Sequence, residues 1–159
     1  MYSRIVLAMV ASSCLAVAVL AQVAPVGPVV KPAADLVWVD LDPVGAPGVK
    51  IASLWGSHEK GAFGALFKLP AGFAAPLHTH THDMKLVIVS GTYLQAPEGK
   101  SEFRLGAGSY LMQPGGNYRH TTRCDAASDC VFFVESGGAF DLRAVEAGKV
   151  PGADQHDHH

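Results

Sequence analysis

No block of lysine or arginine occurs in this 159-residue chain, whose 12 basic residues are outnumbered by 14 acidic ones. The electrostatic footprint for nucleic acid or an anionic membrane is therefore missing, which leaves a small molecule or a metal as the expected ligand. Past residue 21 no apolar run approaches the roughly twenty residues of a membrane span. Helical periodicity is absent as well, and no segment repeats, so a bundle, a solenoid and a duplicated domain pair are all excluded. Cysteine is scarce: the chain has 3, at Cys14, Cys124 and Cys130.

What is present begins with a leader. Arg4, the apolar stretch Ile5 to Leu20 and the small-residue pattern Val19-Leu20-Ala21 read as a secretory signal over residues 1–21, cleaved before Gln22. A membrane anchor is the weaker reading, because Ser12 and Ser13 interrupt the run, and lipidation at Cys14 is weaker still. Cleavage removes Arg4 and takes the formal charge from −2 to −3. The product is expected to be periplasmic or secreted, with no membrane contact. Residues 22–34, rich in Pro, Val and Ala, read as an extended leader, residues 35–147 as one domain, and residues 148–159, ending in His156-Asp157-His158-His159, as a disordered tail.

Between these ends, short runs of β-branched and aromatic residues alternate with Gly/Pro turns. Strands are expected at 36–41, 49–55, 63–69, 77–80, 85–89, 92–95, 102–105, 110–113, 130–135 and 140–145, with a further one from His120 to Cys124. So many short strands without a helix mean an all-β sandwich or barrel, with a jelly roll favoured. Trp55, Phe67, Tyr93, Tyr110 and Phe132 are expected to line its interior. Cys124 and Cys130, separated by five residues in an oxidising compartment, are expected to form a disulfide across a hairpin tip. That bridge would fix the end of the strand carrying His120, so its loss should weaken both folding and the site. The alternative, two thiolate ligands beside His120, is disfavoured by the same compartment.

The stretch Pro76-Leu77-His78-Thr79-His80-Thr81-His82-Asp83-Met84 carries the chemistry. Alternation along a strand puts His78 and His80 on one side, close enough to share one ion. Gly108, Pro114, Gly116 and His120 then give a turn, a tight loop and a third imidazole.

These two segments resemble the paired motifs of the cupin superfamily. The first family motif reads Gly, five residues, His-x-His, three or four residues, Glu, six residues, Gly; here Gly72, His78, His80, Met84 and Gly91 stand in those places. The second reads Gly, five residues, Pro-x-Gly, two residues, His, three residues, Asn; here they are Gly108, Pro114, Gly116, His120 and Cys124, with one residue inserted before His120. The resemblance, which spans about residues 36–145, implies a single-domain cupin-type jelly-roll β-barrel. It also implies one divalent transition metal ion, zinc, iron, nickel or copper, on His78, His80 and His120, with Met84 where the usual Glu would stand. His82, where cupins bend between strands, reads first as an exposed loop residue and second as an extra ligand. Met84 reads as pocket wall or, more sharply, as a thioether suited to copper(I).

Three neutral imidazoles leave an ion with its full charge and open positions. Such cupins resemble thiol dioxygenases, which use iron, so a dioxygenase-like enzyme for a small organic substrate is one expectation. The sequence also resembles the zinc-binding cupin domains of anti-sigma factors and secreted cupins of unassigned function. A non-catalytic metal-binding or sensing module is therefore the alternative, and a vestigial pocket without metal is a third. Partners are expected to be a small-molecule ligand or substrate, no nucleic acid, and at most a second copy in a homodimer.

Overall fold

The computed structural model describes residues 27–145. The secretory signal and the His-containing tail expected from the sequence lie outside the described residues. So does the first part of the extended leader; its remainder, residues 27–34, is exposed. After one 3-10 turn at Ala33–Asp35 every regular element among the described residues is a β-strand. The strands are β1 Val39–Asp42, β2 Ala46–Gly56, β3 Phe63–Leu69, β4 Ala74–Thr79, β5 Met84–Ser90, β6 Tyr93–Pro97, β7 Phe103–Leu105, β8 Tyr110–Gln113, β9 His120–Cys124, β10 Cys130–Ser136 and β11 Arg143–Ala144. They form two antiparallel sheets, ordered β1-β2-β3-β10-β5-β8 and β11-β4-β9-β6-β7.

Period-two alternation builds the interior. Along β10, Cys130, Phe132, Val134 and Ser136 are buried while Val131, Phe133 and Glu135 are partly exposed, and along β5 Met84, Leu86 and Ile88 point in while Lys85, Val87 and Val89 point out. Aromatic packing joins the two sheets. Phe67 stacks on Phe132 at 5.7 Å between centroids, and Tyr93 from the second sheet meets Phe132 edge-on at 5.2 Å. Tight turns hold the ladders in register. Gly91, with φ +75°, lets β5 turn into β6 where an added Cβ would come within 2.3 Å of the Asp129 carbonyl oxygen.

Three expectations need correction. Tyr110 is 59% exposed because Leu111 and Gln113 take the inward positions of β8. Trp55 is 47% exposed, since a register shift between Ser53 and Trp55 turns the end of β2 and lays the indole over Gly64, whose added Cβ would sit 2.1 Å from Nε1. The run from Phe140 to Val145 shrinks to a two-residue strand, because Phe140, Asp141 and Leu142 line the cavity instead of joining a ladder.

Candidate metal centre

β4 and β9 bring the motif histidines together. His78 pairs directly with His120 across the antiparallel ladder, and His80 follows just past the end of β4. Gly115 makes the close approach that seats this bend: an added Cβ there would lie 2.5 Å from the Thr81 carbonyl oxygen. Ring centroids are 4.3 Å apart for His78 and His120, 4.9 Å for His78 and His80, and 5.4 Å for His80 and His120. One ligand nitrogen from each of the three lies within 4.8 Å of the others.

All three are buried, with exposures of 1%, 6% and 0%. Each ring is also aimed by the backbone. Nδ1–H of His78 donates to the Pro76 carbonyl at 2.7 Å, that of His120 to the Tyr118 carbonyl at 3.2 Å, and that of His80 to the Asp141 carbonyl. A carbonyl can only accept, so Nδ1 carries the proton in every case and Nε2 keeps its lone pair. Nε2 of His120 is buried without a hydrogen-bond partner among the described residues. An orphaned acceptor of this kind costs stability in the free protein.

Electrostatics agree with neutral imidazoles. Burial lowers the pKa of His78, with the Pro76 carbonyl opposing it. Burial pushes His80 down to about 4, opposed in part by the Asp141 carbonyl and reinforced by His78. Burial, then repulsion from His78, pushes His120 down to about 3. The rings are thus deprotonated at neutral pH, the form in which histidine ligates. Three such donors fit one zinc-like or iron-like ion with positions left open, so the cluster could hold a metal ion.

The other expected site residues fall into place differently. Met84 is buried at the start of β5 and lines the same cavity, opposite Gln113 in register. His82 is exposed in the bend before β5, its ring against Gly138, and stands outside the group of three. Cys124 and Cys130 form the disulfide, with Cα atoms 5.7 Å apart, and are no thiolate pair.

The cavity beside the histidines has a volume of about 780 Å³. Its walls are chiefly apolar, with Phe67, Phe73, Phe132, Phe140 and Leu86 among them, and no lysine or arginine among the described residues lines it. Several of its polar groups escape the motif spacing. Asp141 accepts from the Thr81 amide at 2.7 Å and from the Thr81 hydroxyl, clamping the bend after His80. Gln113 and Gln95 are buried polar side chains on otherwise apolar inward positions, with Gln95 Nε2–H donating to Gln113 Oε1 at 2.6 Å. That misplacement in a strand pattern was the available signal for the glutamines. Asp141 had none.

No curated protein matches the chain by sequence. Among solved structures, the polyketide cyclase RemF from Streptomyces resistomycificus is similar, with TM-score 0.64 and 16% identity over 79% of this chain and 90% of that one. An RmlC-like cupin protein from Ralstonia eutropha gives 0.55 and 23%, over 70% and 69%. The complex of SigE with the anti-sigma ChrR from Rhodobacter sphaeroides gives 0.50 and 24%, over 66% and 50%. At these identities the likeness establishes the fold, which is that of the cupins. A family profile matches residues 30–158, and the chain accordingly belongs to the family described as "Domain of unknown function (DUF4437)".

Proposed function

We propose that this protein is exported, holds one divalent transition metal ion on His78, His80 and His120, and uses the adjoining cavity to present a small organic substrate to that ion. One observation carries the reading: three buried rings donate Nδ1–H to backbone carbonyls, which leaves each Nε2 with its lone pair, and one ring nitrogen from each lies within 4.8 Å of the others. The bound ion would supply Lewis acidity or an oxygen-binding centre. The chain's own residues do the rest. Pro76, Tyr118 and Asp141 orient the ligands, Met84 and the phenylalanines exclude water, and the cavity admits a largely apolar molecule. Dioxygenase-like chemistry is the reaction class this ligand set favours. The polyketide cyclase among the structural neighbours supports an organic substrate, and the disulfide supports an oxidising, exported location.

A second reading, binding or sensing without turnover, is favoured by the carboxylates. The place where metal cupins carry Glu holds Met84, and of the carboxylates lining the cavity, Asp141 is already engaged by Thr81 and Arg143. The anti-sigma complex among the neighbours also supports it. Metal analysis of protein ending at Gly148, so that His156, His158 and His159 add no sites, tests the common premise. One equivalent of metal after reconstitution is expected, and a content far below that sinks both readings. Oxygen uptake with thiols and phenols then favours the enzyme, while ligand binding without uptake favours the sensor.

A further inference from the structure

Two pairs of buried polar side chains lie at or beside the cavity, and they differ in one respect. Tyr93 and Thr122 place their hydroxyl oxygens 3.1 Å apart and serve one another. Gln95 and Gln113, at 0% and 1% exposure, share a single hydrogen bond and leave Gln95 Oε1 and Gln113 Nε2 without partners among the described residues. Turning both amides over reverses the bond but leaves one nitrogen and one oxygen unused all the same. A buried amide left half-satisfied costs more than an apolar side chain of the same shape, so packing gives no reason to keep the pair. Only Gln113 of the two lines the cavity, opposite Met84 across β5 and β8, in a lining that also includes His78 and His80 from the other sheet.

We propose that Gln113 is a specificity-determining hydrogen-bond donor that selects ligands carrying an anionic oxygen on an apolar, ring-sized body. The inference rests on the metal reading above for the ligand's charge. Three neutral imidazoles leave a bound divalent ion uncompensated, and no lysine or arginine among the described residues lines the cavity to take an anion elsewhere. A carboxylate or phenolate directed to the ion presents a second lone pair to the wall. An oxyanion holds Gln113 in the orientation that offers N–H, and Gln95 fixes that orientation through Oε1 of Gln113. The phenylalanines take the body.

The probes are 2-naphthoate and naphthalene, titrated calorimetrically into zinc-loaded and zinc-free full-length protein. Gln113→Leu is expected to lower the ratio of naphthoate to naphthalene affinity about tenfold, the size of one hydrogen bond to a charged group. Naphthalene and zinc affinities should stay within about twofold of the parent. If Gln113→Leu fails to fold, Gln95→Leu/Gln113→Leu removes both orphans at once; it should melt no lower than the parent and show the same fall in ratio. An unchanged ratio, an equal loss on both probes, or loss of zinc with Gln113→Leu overturns the proposal. A parent that takes up no zinc sinks the function proposed above but not this test, because the ratio must still fall in zinc-free protein if the amide reads the oxygen.

Discussion

The two ends of β9 make the instructive comparison. His120, Thr122 and Cys124 all point inward from this strand, and all are buried. At one end Cys124 is bridged to Cys130, and its backbone N–H donates to the Phe73 carbonyl at 2.9 Å. No buried side-chain nitrogen or oxygen there lacks a partner among the described residues. At the other end His120 has one ring nitrogen committed to Tyr118 and the other committed to nothing. Burial alone does not separate a structural end from a candidate binding end; the balance of donors and acceptors does.

The largest expected effect breaks the comparison at the histidine end. His78→Ala, His80→Ala and His120→Ala should each abolish stoichiometric metal binding, whereas His82→Ala should weaken it several-fold at most, because His82 is exposed outside the group. Metal content after reconstitution measures both. Loss of metal with His82→Ala and retention with His78→Ala would place the site in the loop.

Acid should act on the same end next. The folded protein keeps the three rings neutral, with His80 near about 4 and His120 near about 3, while the unfolded chain takes up protons at about 6.5. Stability from these groups is therefore fully present above pH of about 6.5 and is lost as pH falls through the folded values, the unfolded state binding more protons throughout that window. Metal-free protein should melt progressively lower from pH 7 to pH 4. The triple variant with all three histidines changed to leucine should lose that slope, and retention of it would move the origin to other groups.

Much of this was legible in the sequence, for a physical reason. Period-two alternation and Gly/Pro turns are local signals, so β3, β8 and β9 agree with the expected spans residue for residue. His78 and His80 were readable from parity, and His120 from the motif spacing despite the inserted residue. What escaped depended on long-range packing. Tyr110 and Leu111 sit side by side in β8 with opposite fates, and only the neighbouring strand decides which is inside. Asp141 reaches Thr81 across 60 positions, a separation that no local pattern encodes. The short final strand escaped because its apolar residues face a cavity instead of a ladder partner.

The disulfide end gives the smallest and sharpest test. Read from sequence, the bridge should steady the strand that carries His120, so that breaking it loosens the site together with the fold. The ladder argues for a separation of the two. β9 is paired along its length with β6, from Tyr93↔Cys124 to Pro97↔His120, and with β4 at both ends, Ala74↔Arg123 and His78↔His120. Cys124 and His120 lie about 13 Å apart at strand spacing. The hairpin tip also has ties of its own, from the Gly72 amide to the Asp125 carbonyl at 3.3 Å and from the Asp125 amide to the Thr92 carbonyl at 3.0 Å. Removing the bridge mainly frees the unfolded chain, by about 2–3 kcal/mol for so short a loop in the chain-entropy account. Cys124→Ser/Cys130→Ser should therefore melt several degrees lower while binding zinc within about threefold of the parent, a change of under 1 kcal/mol. Melting curves with and without zinc, together with a zinc titration, decide it: a tenfold loss of zinc affinity would mean that the two ends of β9 are coupled after all.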